Sequence, residues 1–172
     1  MNKFASLAAD VSRPFRVELI DPATEEVIRD NSLSVVDPTD PEGKRMVGKA
    51  AYIDIWAADG DKGRAFDKAD RKTLTLRIKQ ARNGKVDPDD ALEKNIAKCA
   101  ALTAGWYLVD RLTGEPIDVP CTLENAADLY SPPGMGWIFV QPWVAANDAA
   151  NFLPKPSKIS TDMPKPSSEP GA

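Results

Sequence analysis

The chain contains no histidine among its 172 residues. Histidine is the commonest general base and metal ligand, and it is the usual partner of serine and cysteine nucleophiles. Its absence disfavours most enzyme classes, although chemistry based on carboxylates or lysine stays open. We therefore expect a binding protein that is not an enzyme and needs neither a cofactor nor a metal.

Cysteine is also scarce, with Cys99 and Cys121 as the two examples. They do not form a CxxC pair, so neither a disulfide framework nor a zinc site is indicated. Cys99 falls on the apolar face of a predicted helix, where a thiol behaves as a small hydrophobe. We expect both thiols to be buried or half-buried.

Long hydrophobic runs are missing as well. No segment approaches the roughly 20 apolar residues that cross a bilayer. Residues 1–10 are mildly apolar, but Asp10 follows too soon for the apolar core of a signal peptide. These features predict a cytoplasmic protein that has no membrane partner.

Charge is present but unevenly distributed. Residues 62–86 hold nine basic and two acidic residues, a net charge of +7, which leaves −11 for the rest of a chain whose total is −4. The simplest interpretation is a solvated helical face, while the asymmetry could also orient self-association. A nucleic-acid partner is not expected, because the chain is acidic and no stacking aromatics interleave the basic residues.

The chain divides into three parts by composition. Residues 1–13 are predicted to be a flexible arm, residues 14–153 a single α+β domain, and residues 154–172 a disordered tail. In that tail, Pro154-Lys155-Pro156-Ser157 is echoed by Pro164-Lys165-Pro166-Ser167. Proline, serine and lysine leave few apolar groups to offset the entropy of ordering. A rigid polyproline ligand is the alternative for this tail.

The N-terminal part of the domain has strand patterns. Residues 15–20 alternate apolar and polar side chains, residues 21–24 have turn chemistry, residues 25–29 return, and residues 33–37 form a third short run. This order predicts a small antiparallel meander. Because three strands alone are marginally stable, we expect a helix to cover one face.

The remainder is predicted to be helical. Asp40 and Pro41 open a helix over 41–58, and a basic helix spans 64–82, although residues 73–78 also alternate like a strand. A third helix starts near Asp87. Its apolar stripe consists of Leu92, Ile96, Cys99, Thr103 and Trp106. Residues 110–119 are predicted to form a tight connection or hairpin. Thr122 caps a short helix, which ends at Ser131-Pro132-Pro133-Gly134. A last helix is predicted over 137–152. Pro142 fits this last helix only in its first turn.

Candidate ligand sites do not meet their known patterns. The acids Asp87, Asp89 and Asp90 and the run Asp59-Gly60-Asp61 lack the glycine and distal glutamate of a calcium loop. Gly134-Met135-Gly136 lacks the lysine of a phosphate loop. Helix starts and turns explain these residues.

The order of several motifs resembles the tail assembly chaperones of long-tailed (siphovirus-like) bacteriophages and prophages. The similar elements are the turn at residues 21–24, the strand ending at Asp37, a basic middle segment, a helix ending in Gly105-Trp106-Tyr107-Leu108, the Gly114-Glu115-Pro116 turn, the Leu123-Glu124-Asn125 helix and Asn151-Phe152-Leu153. The resemblance covers roughly residues 15–153.

The resemblance implies that the chain binds a tape measure protein, keeps it soluble and recruits tail tube subunits in the host cell cytoplasm. It also implies absence from the finished virion and, in many relatives, a longer frameshifted form. The alternative is a structural virion protein of the tail or head-tail junction. Trp106 and Phe152 are then framework residues, and Tyr130, Trp137 and Trp143 are the expected exposed, partner-binding positions.

Overall fold

The computed structural model describes residues 8–81 and 91–154. Its strands are β1 Phe15–Glu18, β2 Val35–Val36, β3 Met46–Val47, β4 Tyr52–Ile55, β5 Thr103–Val109 and β6 Pro116–Ile117. Its helices are α1 Asp61–Gln80, α2 Ala91–Leu102, α3 Leu123–Tyr130 and α4 Gly136–Asn147, followed by a 3₁₀ helix, Ala149–Phe152. The predicted α+β class is confirmed. Most of the predicted arm, the acids at 87–90 and the tail beyond Pro154 lie outside the described residues.

The main sheet is antiparallel, with the strand order β1-β4-β5-β6. In β4, Ile53 and Ile55 are fully buried, whereas Tyr52 and Asp54 face the other side. This alternation is the period of a half-buried strand. The sheet therefore has an inner face toward the helices and a polar outer face.

The predicted first strand and its turn are confirmed. Strand β1 ends at Glu18, and the Asp21 carboxylate accepts a hydrogen bond from the backbone N–H of Ala23 at 2.8 Å. The returning segment pairs through an isolated bridge between Ile20 and Val27. The third predicted run, residues 33–37, contains the two-residue strand β2. This strand pairs with β3 in a separate two-stranded ribbon. The N-terminal antiparallel sheet is thus confirmed, but β1 lies next to β4 in it, and the run at 33–37 is not a member.

The predicted helix over 41–58 is wrong. Asp40 does cap backbone N–H groups, but they belong to a loop: its carboxylate accepts hydrogen bonds from Glu42, Lys44 and Arg45. Gly43 has φ +62°, a left-handed conformation that ends helical geometry. The following residues then form β3 and β4, because their alternating pattern satisfies the sheet.

The predicted helical stripe to Trp106 is also too long. Helix α2 ends at Leu102, and Thr103 to Trp106 belong to β5, where Trp106 is paired with Ile53. Threonine, tryptophan, tyrosine and valine favour strands, and β4 offers them a partner. Side chains spaced by three or four residues therefore continued the helical pattern by coincidence.

The other helical predictions are confirmed with shifted ends. Helix α1 includes residues 73–78, and the Thr122 hydroxyl caps α3 by accepting from the Asn125 N–H at 3.1 Å. Helix α4 starts at Gly136 and ends at Asn147, so Pro142 lies in its interior rather than its first turn. Pro142 is buried there.

Helices α2, α3 and α4 cover the inner face of the sheet. The largest fully buried side chains come from the sheet and all three helices: Tyr130, Ile53, Ile55, Leu102, Pro142 and Cys99. Each aliphatic member contributes about 1.5–3 kcal/mol by leaving water. The predicted thiol environments are confirmed, since Cys99 is buried and Cys121 half-buried. Within the described ranges, no helix has both the length and the apolar character to span a bilayer.

Candidate partner-binding groove

An open apolar groove of about 300 Å³ lies where the β5–β6 hairpin meets the end of α3 and the start of α4. We call it the hairpin groove. Its lining is mainly aliphatic and aromatic: Leu19, Ile28, Leu108, Val109, Asp110, Arg111, Leu112, Ile117, Leu129, Met135, Trp137 and Ile138. Grooves of this character bind apolar ligand or helix surfaces.

The hairpin that forms one wall is held by its own turn. The Asp110 carboxylate accepts hydrogen bonds from the N–H groups of Leu112 and Thr113, and the Gly114 N–H donates to the Asp110 carbonyl. Gly114 has φ +72°, which a side chain would disfavour. These constraints project Leu112, which is 81% exposed, beside Ile117, which is 43% exposed.

The opposite wall is fixed by a side-chain amide. Gln141 accepts a hydrogen bond from the Ile20 N–H at 2.9 Å and donates to the Ile20 carbonyl at 3.0 Å. The same amide nitrogen contacts the Trp137 carbonyl at 3.1 Å. Helix α4 is thus tied to the segment after β1, which holds Trp137 in position at the groove.

A charged pair lies at the edge of the groove, and the chain segment that forms much of its lining is acidic in sequence. Arg111 forms an ion pair with Asp21 at 3.1 Å. The backbone N–H of Ala23 and this arginine together hold the pKa of Asp21 below its ordinary value. Residues 110–130 contain five acidic residues and one basic residue: Asp110, Glu115, Asp118, Glu124, Asp128 and Arg111. Asp118 directly follows the lining residue Ile117, and Asp128 precedes the lining residue Leu129.

Of the three aromatic positions predicted from the sequence, the groove contains Trp137 alone. Tyr130 is 2% exposed, so its expected exposure is wrong. Trp143 is half-buried, stacks on Phe139 with ring centroids 5.8 Å apart, and borders a separate shallow depression with Val144. Tyr130 and Trp143 stay predictions as partner-binding residues, and neither of them lines the groove.

Leu112, Ile117 and Met135 are groove residues that sequence reasoning did not select. The signal available was the Gly114-Glu115-Pro116 turn, which implies a hairpin with apolar residues on either side. The framework prediction fits better: Phe152 is buried, and half-buried Trp106 donates its indole N–H to the Val119 carbonyl at 2.8 Å.

Two further groups with shifted pKa values, Cys99 and Tyr107, lie outside the groove lining in structural roles. Burial raises the pKa of the Cys99 thiol to about 12. The Asp30 carboxylate raises the pKa of Tyr107 to about 12, through a hydrogen bond of 2.6 Å from the phenol. Within residues 8–81 and 91–154, no group of three or more cysteine or acidic side chains is arranged to hold a metal.

The groove is therefore a mainly apolar surface, and residues 110–130, which supply part of its lining, carry a net negative charge. No family model, curated protein or solved structure matches this chain.

Proposed function

We propose that the chain is a phage tail assembly chaperone, which acts by binding and not by catalysis. Its hairpin groove takes an apolar helical stripe of the tape measure protein. The observation that supports this function best is the open groove in which Leu112, Ile117 and Trp137 surround an apolar floor. The order of sequence motifs supplies the family, and the groove supplies a binding mode.

A helix fits such a groove through side chains at i, i+3, i+4 and i+7. The exposed aliphatic groups of the hairpin gain by leaving water, at roughly 25 cal/mol for each Å² of apolar surface covered. A tape measure protein presents long apolar stripes before the tail tube encloses it. Covering those stripes in the host cytoplasm keeps the protein soluble until tail tube subunits are recruited.

Co-expression tests this function. The tape measure protein encoded with this chain is produced alone, with the wild type, or with the double variant Leu112→Glu/Ile117→Glu. We expect the wild type to move the tape measure protein into the soluble fraction. The double variant should lose about 80% of that effect, because the contact would remove two carboxylates from water.

Val36→Glu is the matched control, because Val36 is an exposed aliphatic residue of β2 outside the groove lining and away from Trp143. It should solubilise the tape measure protein as the wild type does. Equal activity of the wild type and the groove double variant would exclude the groove as the binding site. Failure of the wild type itself would exclude the chaperone function.

The structural virion alternative is separated by mass spectrometry of purified particles. A chaperone is depleted from finished virions, whereas a tail or head-tail junction protein is present at a fixed ratio to the tube subunits. Stoichiometric presence would replace the chaperone proposal with the structural one.

A further inference from the structure

The second half of α1, residues 71–80, is exposed along almost its whole length. Two ion pairs join α1 to α2, Lys98 with Asp67 at 2.8 Å and Lys94 with Asp70 at 2.5 Å, and both lie in the first half of α1. Beyond Asp70, every residue up to Gln80 is exposed except half-buried Arg77. A helix of this kind gains little from packing within its own chain.

This exposed half carries an apolar pair within a basic surround. Leu74 and Ile78 are 39% and 46% exposed and lie four residues apart, so they share one face of the helix. Residues 71–80 hold four basic residues and no acidic ones: Arg71, Lys72, Arg77 and Lys79. The surface is therefore an apolar anchor pair flanked by positive charge.

The hairpin groove has the opposite character. Its lining is mainly apolar, and residues 110–130, the segment that supplies five of the lining residues, carry a net charge of −4, from five acidic residues and one basic residue. Positive charge around an apolar pair and negative charge around an apolar groove favour association and its orientation. No residue of α1 lines the groove of its own chain, so a contact between these two surfaces would join two copies.

We propose that the second half of α1 in one copy docks in the hairpin groove of the next copy. Leu74 and Ile78 are the anchors, and the basic residues of α1 face the acidic segment 110–130. The contact joins two different surfaces, so repeated contacts generate rings or open chains rather than a closed symmetric dimer. The inference goes beyond the proposed function, but the two share one groove, so a client helix and a neighbouring α1 compete for it.

Sedimentation velocity of the full chain tests the contact. The wild type should show a mean mass that rises with protein concentration at low salt. The mass should fall toward that of the monomer in about 1 M salt, where the Debye length is roughly 3 Å. Val36→Glu, in β2, should behave as the wild type does. A wild type that is monomeric at every concentration in low salt would overturn the proposal.

Two variants that each remove one surface give the sharper test. Leu74→Glu/Ile78→Glu removes the helix anchors, and Leu112→Glu/Ile117→Glu removes the groove wall; all four residues are exposed, and circular dichroism checks that each variant is folded. Each variant alone should be monomeric, because it lacks one half of the contact. A mixture should form a one-to-one complex and nothing larger, since the groove of the first variant binds the helix of the second.

A mixture that stays monomeric while the wild type associates would place the contact on other surfaces and overturn the proposal. Failure of the proposed contact between copies is distinguishable from failure of the chaperone function. A monomeric wild type that still solubilises the tape measure protein would remove this inference alone. A wild type that associates through these two surfaces but leaves the tape measure protein insoluble would remove the chaperone function alone.

Discussion

Tyr130 and Trp137 are seven positions apart in sequence, yet their surroundings differ completely. The Tyr130 ring packs edge-on against Phe139 at 6.0 Å, and its hydroxyl lies 2.9 Å from the Thr103 hydroxyl. Burial raises the pKa of that phenol above its ordinary value. Trp137 lies at the wall of an open groove. The first aromatic residue completes a packed interior, whereas the second is placed where another molecule can contact it.

The outer face of the sheet resembles the surroundings of Tyr130 in one respect: the polar groups of the sheet face are paired within the chain. Arg16 forms two hydrogen bonds of 2.8 Å with Asp54 and lies 3.6 Å above the Tyr52 ring. Lys49 lies 3.8 Å from the Tyr107 ring centroid. The sheet face is thus a charged but internally paired surface, whereas the hairpin groove is an open, mainly apolar one.

The largest expected effect comes from removing the Tyr130 ring. Tyr130→Ala should lower the free energy of unfolding by about 3–5 kcal/mol, because the cavity lies among fully buried side chains. Trp137→Ala should cost clearly less, since half-buried Trp137 borders the groove. Urea unfolding followed by circular dichroism measures both. Equal losses at the two positions would break the distinction between a closed and an open aromatic neighbourhood.

The second largest effect should come from acid, which weakens the internally paired outer face of the sheet. The hydroxyls of Ser32 and Tyr107, together with the backbone N–H groups of Ser32 and Lys49, hold the pKa of Asp30 well below its ordinary value. A lowered pKa in the folded state adds stability above the unfolded value near 4, and that stability is lost as pH falls further.

Urea midpoints of the wild type and Asp30→Asn should therefore differ by a constant amount between about pH 6 and pH 8, with the wild type more stable. Below about pH 4 the difference should shrink. Glu93→Gln, on the exposed surface of α2, is the control and should follow the wild type. A gap that persists unchanged into acid would show that Asp30 does not stabilise the fold through its charge.

Removing only the Tyr130 hydroxyl should have a smaller effect than removing its ring. Tyr130→Phe keeps the contact with Phe139 and loses one hydrogen bond, for an expected cost of about 1 kcal/mol. The Thr103 hydroxyl still donates to the Cys99 carbonyl at 2.9 Å, so it is not left unpaired. A loss as large as that of Tyr130→Ala in urea unfolding would mean that the hydroxyl, and not the packing, holds this region together.

Local patterns predicted the class of the fold and many of its elements. The Thr122 cap, the alternating strand at 15–18 and the basic helix each depend on neighbours within a few residues. The failures occurred where a distant partner decides. Asp40 and Pro41 carry helix-start chemistry, but Gly43 and the pairing of β4 with β1 and β5 override it. Thr103 to Trp106 likewise leave the helix because β4 pairs with them.

The candidate site was harder to predict than the fold. Trp137 was selected by residue type, but the same reasoning selected buried Tyr130, since aromatic residues are common in cores and at interfaces alike. Leu112 and Ile117 become groove residues only because the hairpin lies beside the start of α4. Helix α4 is itself held by the Gln141 amide, which bonds residue 20 across 121 positions. No local pattern encodes that meeting.

The smallest expected change in stability belongs to the groove itself. Leu112→Glu/Ile117→Glu alters two exposed side chains, so the free energy of unfolding should stay within about 0.5 kcal/mol of the wild type. The urea midpoint and the solubility of the co-expressed tape measure protein are measured on the same preparation. An unchanged midpoint with lost solubilisation assigns the defect to the contact surface, because the fold that presents it is intact. A midpoint that falls as far as that of Tyr130→Ala would instead make the hairpin part of the closed interior, and the contrast between the two regions would no longer hold.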